Sequence, residues 1–336
     1  MTAKIKFIEY HLPERQLTNE DLEKEGVFDA KKIFEKTGIK SRHISAEGET
    51  SSDLAYQAVE KLITKNNIDR NSIDYLIFCT QSPDYILPTS SCILQNRLNL
   101  STKTACFDFN LGCSGYVYGL FLSKALIESK QARRVLFLTG ETYTKSIYAK
   151  DKSNRTIFGD AGSATMIEFE ESEKEYMHSF VLGTDGSGYQ NLIIPHGGFR
   201  HPIDSTSDEE KTDIDGNVRT NRSLFMNGSE IFSFTISAVP KIYNECLEKA
   251  KLNQSDIDFY LFHQANAFMI NYLVKKMKIP QEKVLMNMEN IGNTVSNTLP
   301  ILLKDYLEKG VIKEGMKLML LGFGVGYSYG ANIIEV

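Results

Sequence analysis

Tryptophan is absent from the chain, so no indole can act as a stacking platform and any ring-on-ring recognition falls to Tyr and Phe. Cysteine is scarce. Cys79, Cys92, Cys106, Cys113 and Cys246 form an odd set with no Cys-x-x-Cys pair and no histidines at metal-ligand spacing, which argues against a disulfide scaffold or a metal site. Each thiol is then core filler or a nucleophile. No stretch approaches the roughly 18 uninterrupted apolar residues that a membrane-spanning helix needs, and the N-terminal stretch mixes Lys4, Lys6, Glu9 and Glu14. The expectation is a cytoplasmic protein with no membrane partner. Charge of one sign is not in excess either: 38 Lys+Arg against 43 Asp+Glu leave −5 over 336 residues, which offers no overall field for nucleic acid. With 42% hydrophobic and 24% charged residues the composition is that of a globular protein, which excludes disorder and collagen-like repeats.

What the chain does contain is an internal duplication. Ile68-Asp-Arg-Asn-Ser-Ile-Asp-Tyr-Leu-Ile-Phe78 aligns with Leu252-Asn-Gln-Ser-Asp-Ile-Asp-Phe-Tyr-Leu-Phe262 at an offset of 184. Farther on, Asn110-Leu-Gly-Cys113 falls against Asn290-Ile-Gly-Asn293 at an offset of 180, each followed by a helical pattern and an apolar strand (Arg134 to Gly140, Lys317 to Gly324). Two collinear matches at nearly one offset imply two fused halves, expected at residues 1–180 and 181–336. Unbroken runs such as Tyr75-Leu-Ile-Phe-Cys79 suit strands covered on both faces, so the fold class is α/β, layered, with helices around mainly parallel or mixed sheets. The polar segment 197–221 is expected to be a solvated insertion loop, either a lid or an inert excursion.

Cys113 stands where the strand Thr104 to Phe109 gives way to a helix through Leu120 to Ser129. A thiol at a helix N-terminus faces free N–H groups and the positive end of the dipole, which predicts a lowered pKa. Gly112 and Gly115 predict a sharp turn whose backbone N–H groups can hold an oxyanion. The alternative is a small residue packing the turn. His263 follows the strand Ile257 to Phe262, at a strand end where α/β folds place ligands, and is either catalytic or a satisfied core histidine. Asn293 is the residue that the repeat equates with Cys113. A pseudo-twofold axis between the halves would bring the two turns together, and otherwise Asn293 is a cap or turn residue. Leu321-Gly-Phe-Gly-Val-Gly-Tyr-Ser-Tyr-Gly330 holds too much glycine for a plain strand and predicts close approach of backbone to a ligand or another segment. Phe158-Gly-Asp-Ala-Gly-Ser-Ala164 reads as a tight packing turn.

Taken together, the Cys113 turn, His263-Gln-Ala-Asn266, Gly292-Asn293-Thr294 and the glycine-rich tail resemble the β-ketoacyl-acyl-carrier-protein synthase III family of the thiolase superfamily. So do Lys36-Thr-Gly-Ile39, Arg42-His-Ile44, Leu87-Pro88 and Phe158-Gly-Asp160, and the likeness runs from about residue 15 to the C-terminus. The resemblance implies a duplicated five-layer αβαβα thiolase-like fold, a homodimer, and a site without metal or cofactor. It implies Cys113 as nucleophile, His263 and Asn293 as its partners, Val325 N–H beside Cys113 N–H as the oxyanion hole, and Leu87 reaching into the partner's acyl pocket. The implied reaction is decarboxylative condensation of an acyl-CoA or acyl-carrier-protein donor with malonyl-acyl carrier protein, in fatty-acid initiation or a specialised acyl pathway. Two other readings are an acyltransferase forming an ester or amide and a non-catalytic partner subunit.

The sequence departs from the family pattern around the donor. Of the residues that grip the coenzyme A adenine, Arg155 matches, but the family's Trp position reads Lys32 and a neighbouring Thr position reads Phe28. Asn266 is a further candidate pantetheine contact. The family's carrier-contacting Arg reads Phe268, which leaves Lys275 and Lys276 on the same helix either to meet an acidic carrier or to be a solvated face.

Overall fold

The structure, a computed structural model, describes residues 2–26 and 29–336. The unbroken apolar run Tyr75–Cys79 forms β4, fully buried from Leu76 onward because it pairs in parallel with Ala105–Phe109 (β5) on one side and Arg134–Glu141 (β6) on the other. Outside β6 lie Ala161–Glu170 (β7) and Thr2–His11 (β1), both antiparallel, which gives a sheet of order β1-β7-β6-β4-β5. The second sheet repeats that plan with Met177–Thr184 (β8), Ser328–Glu335 (β15), Lys317–Gly324 (β14) and Phe259–Phe262 (β13), in the order β8-β15-β14-β13 and with only the last pair parallel. Where the first sheet continues into β5, the second has a single parallel bridge from Tyr260 to Val284.

The repeat seen in sequence has a local physical basis. Helix Ser51–Asn66 (α3) ends on Asn67 with φ 49, and helix Gly228–Ala250 (α6) ends on Lys251 with φ 56, the same left-handed stop 184 positions apart. Each is followed by a 3₁₀ turn (Arg70–Ser72, Gln254–Asp256) and then by β4 or β13. Residue 180, the expected boundary between halves, lies inside β8. The first sheet closes with β7 at Glu170, and β8 already belongs to the second.

Five layers follow from what covers each sheet. Helix α3 and Ser90–Arg97 (α4) pack on the outer face of the first sheet, around Val59, Leu62, Phe78 and Leu136. Helix α6 and Ala267–Met277 (α7) pack on the outer face of the second, around Ile242, Tyr260, Phe262 and Leu273. Between the sheets run Gly115–Glu128 (α5) and Thr298–Glu308 (α8), whose core joins Val117, Leu120, Phe137, Leu302 and Leu320. Helix α5 is apolar nearly all round because most of it is enclosed, with Phe121 and Ala125 exposed, and a Cβ at Gly119 would fall inside the Phe137 ring.

Smaller elements wall the site. Gln16–Thr18 (β2) pairs with Ser41–His43 (β3) and brackets Asn19–Lys24 (α1) and Ala30–Thr37 (α2). Helix α2 ends at Gly38, whose φ of 72 and close seat on Ala267 leave no room for a side chain. Leu192–Ile193 (β9) pairs with Phe225–Met226 (β12). Within 197–221 a short hairpin forms from Lys211–Thr212 (β10) and Val218–Arg219 (β11). Buried Arg219 donates to Asp151 at 2.6 Å and to Asp213 at 2.7 Å, which pins this hairpin to the body. No helix among the described residues is long and apolar enough to cross a membrane.

Candidate active site

A cavity of about 580 Å³ runs in from the surface between β12, α6, α7 and the β10–β11 hairpin, and Cys113, His263 and Asn293 all line it. Cys113 sits in the turn between β5 and α5, just before the helix-capping residue Ser114. The flanking glycines are required by space rather than by left-handed backbone: a Cβ at Gly112 would lie 2.6 Å from Gln81 Oε1 and 2.8 Å from a Val325 methyl, and one at Gly115 would strike Cys79 Sγ. The glycine-rich tail proves to be the β14–β15 hairpin, whose backbone crosses this turn. A Cβ at Gly322 would lie 2.9 Å from the Cys113 carbonyl oxygen, and Ser114 Oγ meets Ser328 Oγ at 2.6 Å. That crossing carries the backbone around Gly324 and Val325 to the Cys113 sulfur, whose anion is favoured by the Val325 N–H and by that of Cys113 itself.

The expectation of a lowered thiol pKa is corrected. Burial pushes Cys113 up to about 12, with a contribution from the Glu141 carboxylate, and the two N–H groups offset only part of this. Desolvation outweighs the helix terminus because the thiol is 6% exposed and lies outside the first turn of α5.

His263 continues the β13–β14 ladder through its N–H to Leu321 O at 2.8 Å. The ring is buried, stands edge-on to Phe323, and is held at Nδ1 by Thr298 Oγ1 at 2.7 Å. Burial pushes its pKa down to about 3, so it is neutral at physiological pH.

Asn293 is clamped by the Phe158-Gly-Asp turn. Its N–H donates to Ile157 O at 2.9 Å and its carbonyl accepts from Gly159 N at 2.9 Å. That turn, read from its glycines as a packing turn, therefore also positions Asn293. Asp160 secures it by accepting from Ser45 N, Ser45 Oγ and Thr144 N at 2.8–3.0 Å. Asn293 Oδ1 accepts the Val295 N–H at 2.9 Å, so its NH₂ group remains to face the cavity. Val295 has φ 56, a left-handed conformation that is strained for a β-branched residue.

The other expected contacts separate. Asn266 lines the cavity as N-cap of α7, accepting Met269 N–H at 2.8 Å. Arg155 does not line it: it borders a separate cavity and pairs with Glu25, donating to Ala149 O as well. Lys32 is exposed and paired with Asp29, and Phe28 lies outside the described residues. Phe268 is exposed at the mouth against Phe232, which also meets Tyr272 edge-on. Lys275 and Lys276 are exposed in the last turn of α7, the latter donating to Ile236 O at 2.7 Å. Leu87 is 78% exposed beside Tyr85 and Ile86 and does not line the cavity of its own chain.

Sequence reading missed Glu141, which is fully buried and accepts from Gln81 N (3.1 Å), Ser82 Oγ (3.2 Å) and Ser296 Oγ (3.1 Å). Burial pushes its carboxyl up to about 8. The available signal was a lone carboxylate at the end of an apolar strand. Thr298 was missed as well, because Asn-Thr-Leu-Pro reads as an ordinary helix start.

Two sheets, a central helix pair and two outer helix layers with a Cys/His/Asn cavity define a thiolase-fold enzyme. Residues 107–186 match the model for 3-oxoacyl-[acyl-carrier-protein (ACP)] synthase III, and residues 247–336 match the model for the C-terminal part of that enzyme. A beta-ketoacyl-[acyl-carrier-protein] synthase III of Fusobacterium nucleatum is 34% identical over 98% of both chains. A crystal structure of a 3-oxoacyl-(acyl-carrier-protein) synthase III superposes with a TM-score of 0.98 at 47% identity over 100% of both chains. The Burkholderia xenovorans 3-oxoacyl-(acyl-carrier protein) synthase gives 0.91 at 37% identity, over 100% of this chain and 94% of its own. The chain belongs to the 3-oxoacyl-[acyl-carrier-protein] synthase III family, and it is an acyltransferase of the condensing class.

Proposed function

We propose that the protein joins an acyl thioester to malonyl-acyl carrier protein with loss of carbon dioxide, through an acyl-Cys113 intermediate. The observation that carries this reading is the convergence of a thiol, a neutral imidazole and a carboxamide NH₂ on one buried cavity, with two backbone N–H groups at the sulfur. In the first stage the Cys113 sulfur bonds to the donor's carbonyl carbon. The carbonyl oxygen gathers negative charge against the N–H groups of Cys113 and Val325, and the departing thiol leaves with the proton that Cys113 gives up. In the second stage His263 and Asn293 donate hydrogen bonds to the malonyl thioester carbonyl. Carbon dioxide departs, and the enolate carbon attacks the acyl-Cys113 carbonyl. The sulfur is expelled and regains a proton, and the β-ketoacyl thioester remains on the carrier. Neutral donors suit this stage because an imidazolium is excluded by burial and a carboxylate would repel the enolate.

Substrate delivery follows the cavity's shape. Pantetheine would enter past Asn266, with the carrier at the mouth beside Lys275 and Lys276. Arg155 would have to leave Glu25 before it could contact coenzyme A, which favours a carrier or a loosely held nucleotide. Tyr85, Ile86 and Leu87 are 63%, 77% and 78% exposed, an apolar stretch suited to burial against a second copy, with Leu87 turned into that copy's acyl pocket. We place this homodimer in the cytoplasm, in fatty-acid initiation or a specialised acyl pathway.

The test is stepwise incubation with radiolabelled acyl-CoA or acyl-carrier protein and then malonyl-carrier protein. Label on Cys113 followed by carbon dioxide release is expected. Label that moves to an alcohol or amine without release would identify the ester- or amide-forming reaction, and no label at all would identify a non-catalytic subunit.

A further inference from the structure

The condensation scheme leaves one contact of the site unused. Thr298 Oγ1, buried at the start of α8, lies 2.7 Å from His263 Nδ1 and 3.1 Å from the Val295 carbonyl oxygen. A hydroxyl has one proton and can give it to only one of these. The Val295 carbonyl already accepts the backbone N–H of Thr298, whereas Nδ1 makes the shorter contact. The Val295 backbone also favours a proton on the imidazole, against the burial that removes it, so the ring sits between two opposed influences. The carbonyl draws a ring proton toward itself. The hydroxyl, by donating, keeps Nδ1 bare.

We propose that Thr298 is a positioning residue that sets the tautomer of His263: its hydroxyl donates to Nδ1, so the single proton of the neutral ring stands on Nε2 and points into the cavity. Nε2–H then joins the Asn293 NH₂ as the second donor to one carbonyl oxygen. The opposite tautomer would present a lone pair to the lone pairs of that oxygen and stabilise nothing. The functional part of this inference rests on the condensing reading, whereas the tautomer is a property of the unliganded protein.

The experiment has two readouts that can fail separately. Protein labelled with ¹⁵N at histidine, with the His263 signals assigned by their loss in His263→Asn, reports directly which ring nitrogen carries the proton. In the wild type the proton is expected on Nε2. In Thr298→Val, which keeps the shape and removes the hydroxyl, it moves to Nδ1 and faces the Val295 carbonyl. Decarboxylation and condensation then fall on the order of tenfold or more, while acyl loading of Cys113 stays near the wild-type rate. Thr298→Ser restores both the tautomer and the rate. A wild-type spectrum with the proton on Nδ1 overturns the proposal whether or not any variant folds, as does Thr298→Val with unchanged tautomer and rate. A wild type that never releases carbon dioxide removes the condensing reading and leaves the tautomer to be decided by the spectrum.

Discussion

The backbone of Gly324 runs so close to Cys113 that a methyl group on it would lie 2.8 Å from the cysteine Cβ and 2.9 Å from its sulfur. Gly324→Ala is therefore expected to push the thiol away from the Val325 N–H. The cost is about 1–3 kcal/mol of overpacking, with acyl loading slowed on the order of 100-fold for a displaced oxyanion donor. Unchanged loading in burst kinetics would show that the Val325 N–H is not part of the oxyanion site.

Asn293→Asp keeps an oxygen for the Val295 N–H, so the loop should hold its shape. It loses the NH₂ donor and places a carboxylate where the enolate forms. Condensation is expected to fall about 100- to 1,000-fold, with acyl loading of Cys113 far less affected. Full condensing activity in this variant would remove Asn293 from its assigned role.

Glu141 gives the stability a definite pH slope. Its folded pKa of about 8 lies above the ordinary carboxylate value, so the folded protein holds the proton more tightly than the unfolded chain. The stability from this group is complete below the unfolded value and is lost as pH rises through about 8, with a limiting slope of about 1.4 kcal/mol per pH unit. Glu141→Gln should flatten the decline of Tm between about pH 5 and pH 8. Parallel Tm profiles for the two proteins would refute this.

Buried Asp151 depends on Arg219 for its charge partner. Arg219→Met should cost about 3–5 kcal/mol, the usual penalty for leaving one buried ion unpaired, and should loosen the hairpin that walls the cavity. Urea melts give the first quantity, and limited proteolysis between 211 and 219 gives the second. Asp151→Asn with Arg219→Met should recover part of the loss.

The architecture was legible because both halves carry the same local instructions: a left-handed stop, a 3₁₀ turn and an apolar strand, written twice from Ile68 and Leu252. Cys113 and Asn293 could be paired because the repeat matches their turns, and His263 could be added because it follows an apolar strand; the three line one cavity. The thiol's pKa was not, because it depends on how deeply the β14–β15 backbone covers the turn, and burial is a property of the whole fold. The partner of Arg155 was not legible, because a motif gives the residue and not what it pairs with: Glu25 lies 130 positions away and accepts from its guanidinium. Glu141 left one local sign, a lone carboxylate closing an apolar strand, but its partners and those of Thr298 come from distant segments that no local pattern names.

Val295 links the two donors through a single peptide segment. Its amide donates to the Asn293 carboxamide, and its carbonyl accepts the backbone N–H of Thr298, whose hydroxyl holds His263 Nδ1, so both groups are tied to one residue. One displacement of this segment thus reaches both groups at once, whereas the cavity wall farther out, at Asn266 and Phe268, belongs to another helix.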